Sequence, residues 1–120
     1  MWTLSCPGQR KYNNIMADIT VTELKERMDK GESLILIDVR EPHEYELSNL
    51  GGQLIPLGTL PAALPDMEEL KDQEIIIHCK SGGRSGQAAA FMRQNGFSNV
   101  RNLLGGILDW KNKIDPSIPV

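Results

Sequence analysis

Two short runs, Leu34-Ile-Leu-Ile-Asp-Val39 and Glu74-Ile-Ile-Ile-His-Cys79, are apolar almost without interruption. A strand with one wet face alternates apolar and polar residues. A continuous β-rich run instead needs cover on both faces, as in a parallel sheet. The segments between the runs carry helical signals. Thr20 and Glu23 have capping-box spacing, and Val21, Leu24 and Met28 share one helical face. Gly31 suits the left-handed residue that ends such a helix. Pro42 fits the first turn of a brief helix over 43–47, Gly51-Gly52 breaks it, and Leu54-Ile55 reads as a short strand. Pro61 and Pro65 divide residues 58–71 into short helices. A glycine-bearing turn, Lys80 to Gly83, opens a helix over 84–95 that Gly96 ends, and Ala88 to Ala90 allow close packing on the sheet. Val100 to Leu103 reads as a strand, and Gly106 to Lys113 as a helix with Ile107 and Trp110 inward. Strands alternating with helices require right-handed crossovers, so the fold class is α/β with a mostly parallel sheet.

A chain of 120 residues is one domain's worth. Thirteen basic against sixteen acidic side chains give a net charge of −3, without the basic excess of a nucleic-acid or anionic-membrane protein. The longest aliphatic runs fall far short of the roughly 18 residues of a membrane span. No apolar stretch follows Arg10 and Lys11, so no secretory signal is expected. Two cysteines, Cys6 and Cys79, are too few for a disulfide framework, and the expected location is cytoplasmic. Residues 1–15 show no periodicity, and 1–17 are expected to form a flexible arm, with Met16 a candidate natural start and 18–120 the folded domain.

The chemistry concentrates in Ile75-Ile-Ile-His-Cys-Lys-Ser-Gly-Gly-Arg-Ser-Gly86. One cysteine stands at the C-terminal end of a buried strand, where ligands bind in open α/β sheets. The two-glycine loop behind it lets backbone N–H groups curl toward one point, and a helix N-terminus backs that nest. The same field, with Lys80 and Arg84 alongside, is expected to lower the thiol pKa. The alternative is an inert buried filler, but a filler does not need two glycines and two cations in the next five residues. Ser85 is a candidate helix N-cap and cradle donor at once. His78 should face the opposite side of the sheet from Cys79, and a satisfied core histidine is favoured over a catalytic base. His43 reads as a surface residue. A resolving role for Cys6 is disfavoured, and the histidines and cysteines lack metal-ligand spacing, so no metal is expected.

Three segments together resemble the rhodanese-like sulfurtransferases: Asp38-Val-Arg-Glu-Pro-His-Glu-Tyr45, Cys79-Lys-Ser-Gly-Gly-Arg-Ser85 and Gly105-Gly-Ile-Leu-Asp-Trp110. The resemblance covers about residues 18–119. It implies a central sheet of about five strands flanked by helices on both faces. It also implies a sulfur-carrying cysteine, matched by Cys79, and a loop whose amides hold the transferred sulfur, matched by Lys80, Ser81, Gly82, Gly83, Arg84 and Ser85. Asp38, Arg40 and Glu44 match polar positions that brace the site. Arg40 precedes Glu44 by four residues, so an ion pair between them competes with a substrate contact. Lys80 and Arg84 either steer anionic donors or are solvated or paired with carboxylates.

The resemblance implies no cofactor beyond a persulfide on Cys79, and a donor such as thiosulfate or the persulfide of a cysteine desulfurase. Residues 38–57 and 103–119 look particularly like rhodanese domains fused to adenylating enzymes. Those enzymes activate ubiquitin-like sulfur carriers for molybdenum-cofactor or thiamine synthesis and tRNA thiolation. The chain has no room for such an adenylating domain, so a carrier would be activated by a separate enzyme; small thiols are the competing acceptors. Two rival readings remain. One is a binding or regulatory module that keeps the fold without turnover. The other is a cysteine phosphatase or arsenate reductase, whose loop is one residue longer than the four residues between Cys79 and Arg84. The shorter loop favours sulfur over phosphate.

Overall fold

The computed structural model of the protein describes residues 18–120. The expected flexible arm, with Cys6 and Met16, lies outside the described residues. Ten regular elements follow one another: β1 (Asp18–Ile19), α1 (Val21–Asp29), β2 (Ile35–Asp38), α2 (Pro42–Leu47), β3 (Gln53–Leu54), α3 (Leu60–Ala63), β4 (Glu74–His78), α4 (Gly83–Gln94), β5 (Asn99–Leu103) and α5 (Gly106–Lys113). Short 3₁₀ turns over Leu57–Thr59 and Leu64–Leu70 flank α3. The sheet order is β1-β5-β4-β2-β3, and every pairing is parallel.

The two apolar runs become β2 and β4, paired in the register Ile35 to Ile75 through Asp38 to His78. Side chains alternate faces along β4. Ile75, Ile77 and Cys79 join Ile37, Val39, Ala88, Ala89 and Met92 under α3 and α4. Ile76 joins Val21, Leu24, Leu103 and Trp110 under α1 and α5. Helices cover both faces, which is why neither run alternates in polarity. Each fully buried isoleucine of β4 stabilises the fold by about 2 kcal/mol, so the strand that presents Cys79 is firmly seated.

Local signals in the sequence act as expected in α1. The Thr20 side chain accepts the Glu23 N–H at 3.1 Å, and Gly31 turns the chain with φ +77°. Met28 departs from expectation: it is 37% exposed, in the last turn of α1 beyond the core face. Ala90 is likewise exposed, while Ala88 and Ala89 carry the close contact with the sheet. Strand β1 was not expected. Its two residues are too few to show periodicity, and it exists through pairing with Asn102 and Leu103 of β5.

Candidate active site

Strand β4 ends at His78, so Cys79 sits where the backbone leaves the sheet and turns toward α4. That exit is fixed from the far side by α5. The Ile107 N–H donates to the Cys79 carbonyl, and the Leu108 N–H to the Lys80 carbonyl, both at 3.0 Å. Gly106 makes the approach possible. It has φ +59°, and a Cβ there would lie 2.5 Å from the Lys80 oxygen and 2.6 Å from the Cys79 oxygen.

Gly82, at φ +112°, then reverses the loop and serves as the N-cap of α4. The reversal aims donors at the sulfur. The Gly82 N–H donates to Cys79 Sγ at 3.1 Å and the Ser85 N–H at 3.4 Å, while Ser85 Oγ lies 3.4 Å from the same atom. Burial pushes the Cys79 thiol up, but the Ser85 hydroxyl and the amides of Ser85, Gly82 and Ser81 outweigh it and hold the thiol below its ordinary value. The direction is the expected one, and so is the amide part of its cause; the hydroxyl stands where the two cations were expected to help. Lys80 is exposed, and Arg84 spends its guanidinium on Glu44, with nitrogen–oxygen distances of 2.7 and 3.0 Å. Dipoles lead in holding this sulfur as an anion, and the Arg84 charge acts on it only at a distance.

Three further expectations are corrected. Ser85 is not the N-cap of α4; it is buried in the first turn, because Gly82 already makes the reversal. Arg40 does not pair with Glu44. It lies before α2 begins, off the helical face that the spacing assumed, and its guanidinium grips Asp38 at 2.8–3.1 Å and donates to the Ser48 carbonyl at 2.7 Å. His78 is fully buried on the face opposite Cys79, beside Asp38, yet neither ring nitrogen finds a hydrogen-bond partner among the described residues. Burial therefore holds its imidazole below the usual value, against the pull of the Asp38 carboxylate.

The expected site residues thus divide into two groups. Cys79, Ser81, Gly82 and Ser85 meet at the sulfur, and Glu44 reaches their loop through Arg84. Glu44 also accepts the Glu41 N–H at 2.9 Å, and the Arg84 guanidinium, working against burial, holds its carboxyl at about 2. Asp38 and Arg40 brace the turn after β2, and Lys80 and Gly83 are exposed on the loop, outside the donor set at the sulfur. One contact escaped the sequence: Asn102 of β5 bonds both the Ser85 hydroxyl, at 2.5 Å, and the Gly82 carbonyl, at 3.4 Å. Its one sequence signal is a polar residue sharing a strand face with Val100. Cys79 itself is only 1% exposed and lies beneath exposed Lys80, Ser81 and Gly83, deeper than an open sheet-edge thiol. A concavity of about 250 Å³, lined by Arg40, His43, Glu44, Leu47, Lys80 and Val120, adjoins that loop.

Residues 20–113 match the rhodanese-like domain family. A sulfurtransferase of Allochromatium vinosum is 34% identical over 94 residues, covering 78% of this chain and 86% of that protein. An adenylyltransferase and sulfurtransferase of Zea mays, MOCS3-2, is 34% identical over 110 residues; the alignment covers 87% of this chain but spans only 23% of the maize protein's length. Among solved structures, a rhodanese-like domain protein of Staphylococcus aureus superposes with a TM-score of 0.72 at 29% identity, covering 79% of this chain and 91% of its own. A human single-domain sulfurtransferase gives 0.70 at 25% identity, over 81% and 96% of the two chains. With five parallel strands in this order, helices on both faces and the cysteine loop at the C-terminal edge of β4, the chain belongs to the rhodanese-like domain family.

Proposed function

We propose that the protein is a sulfurtransferase that carries sulfur as a persulfide on Cys79. The observation that supports this most is the convergence of the Gly82 and Ser85 amides and the Ser85 hydroxyl on one buried sulfur. The Cys79 thiolate attacks the outer sulfur of thiosulfate, a new S–S bond forms, and the old one breaks as sulfite leaves with its electron pair. The outer sulfur then carries the negative charge. Helix geometry leaves the first-turn amides of α4 without intrahelical acceptors, so the Gly83 and Arg84 N–H groups are available to that second sulfur. A thiol acceptor next attacks the outer sulfur as its thiolate, takes it, and releases Cys79 as thiolate. Donor and acceptor approach, and sulfite leaves, past Lys80 and the adjoining concavity, where Lys80 and Arg40 stand beside Glu44.

The tight loop argues against phosphate transfer, and the ordered donor set around Cys79 argues against a module that has lost its nucleophile. Similarity to the maize adenylyltransferase and sulfurtransferase makes an adenylated ubiquitin-like sulfur carrier the macromolecular acceptor to test against glutathione. Incubation with thiosulfate should add the mass of one sulfur atom to the intact protein, and Cys79→Ser should abolish the gain. Equal gain by the variant would overturn the assignment. Discharge of the persulfide to glutathione, with no thiocarboxylate on the carrier, would exclude the carrier as acceptor.

A further inference from the structure

Ser85 Oγ stands between two partners, Cys79 Sγ at 3.4 Å and Asn102 Oδ1 at 2.5 Å, and the residue is fully buried. A serine hydroxyl has one proton to donate. The orientation of the Asn102 amide follows its other contact, since reversing it would lose the donation to the Gly82 carbonyl and leave acceptor facing acceptor there. Oδ1 can only accept, so at 2.5 Å the hydroxyl, keeping its proton, donates to Asn102. Toward the sulfur the hydroxyl then presents lone pairs, which suit a neutral S–H and oppose an anion. When Sγ becomes anionic, rotation about the Cβ–Oγ bond brings the proton to the sulfur at the cost of the bond to Asn102.

We propose that Asn102 is a positioning residue that holds the Ser85 hydroxyl proton while Cys79 Sγ is neutral and yields it when negative charge arrives on that atom. No covalent bond changes at either residue; the proton stays on Oγ and only its acceptor alternates. The place of this rotor in a cycle rests on the sulfur-transfer reading. There Sγ is neutral as the thiol and as the inner sulfur of the persulfide, and anionic as attacking and leaving group. In the second half of that cycle the rotor would deliver a hydrogen bond to the departing thiolate.

The test reads the thiol alone, by pH-dependent alkylation of Cys79. Asn102→Ala removes the competing acceptor and should lower the apparent thiol pKa by about 0.7, the worth of one freed hydrogen bond. In a Ser85→Ala background the same substitution should do nothing. The near-isosteric Asn102→Asp keeps an acceptor for the hydroxyl and adds negative charge, so it should shift the pKa upward. A residue that merely shapes the loop would give the opposite sign with alanine, because a slackened loop withdraws the Gly82 and Ser85 amides from the sulfur. A raised or unchanged pKa in Asn102→Ala, or an equal shift with Ser85 absent, would overturn the proposal. If thiosulfate adds no sulfur while these shifts hold, the transfer reading fails and the rotor stands.

Discussion

At Cys79 the sulfur faces the amides of Ser81, Gly82 and Ser85 and the Ser85 hydroxyl, while the Arg84 guanidinium is turned to Glu44. This arrangement separates two sources of thiol activation that a sequence cannot distinguish. If dipoles dominate, the apparent pKa of Cys79 lies below the unperturbed value of about 8.5. Ser85→Ala should then raise it by about one unit, since hydrogen bonds to a charged group are the stronger kind. Arg84→Gln should move it less. Alkylation rates against pH measure all three, and a larger shift in Arg84→Gln would restore the cationic account. The unpartnered His78 ring lies on the opposite face of the sheet beside Asp38, whereas Arg40, gripped by Asp38, also lines the concavity next to Glu44 and Lys80.

Among the elements, α2 and α4 are joined at the loop by Glu44 and Arg84, and the depressed carboxyl gives that joint a pH signature. A group with a lowered folded pKa contributes stability that is complete above its ordinary value near 4.5 and is lost as pH falls toward about 2. Carboxyl NMR titration should therefore find Glu44 ionised through pH 4, and Arg84→Gln should return it toward the ordinary range. A Glu44 that titrates normally in the unaltered protein would show the joint to be open in solution.

The same elements show what was legible in the sequence. Strands β2 and β4 could be read because continuous apolar runs have one structural use, and the loop of Cys79 because its glycines and nucleophile are adjacent in the chain. The partners across space could not. Arg40 sits four residues before Glu44, but the helix begins only at Pro42, so helical spacing did not apply. Asn102 meets Ser85 only once β5 lies beside β4 in the register Asn102 to Ile77, and that register is set by the packed sheet rather than by any local pattern.

Seen as a whole molecule, a single parallel sheet gathers every strand's C-terminal end on one edge, and the Cys79 loop forms there beside α4 and α5. Helices on both faces made the α/β class readable from alternation alone. Two-residue β1 went unread and β3, expected at Leu54-Ile55, lies at Gln53–Leu54, since the sheet's interior strands hold both in place. The depth of Cys79, at 1% exposure, makes the molecule a sieve. Reactivity should depend on the width of the reagent as well as on its chemistry. Iodoacetamide should modify the native protein far faster than a bulky aryl maleimide, after each rate is normalised to a free thiol, and the two should converge in urea. Equal normalised rates in the native state would mean the sulfur is open to all comers. Under the proposed sulfur transfer, a sulfur so placed would select slender donors and acceptors, such as an ion, a small thiol or the extended end of a chain, and spare its cargo from wider molecules of equal reactivity.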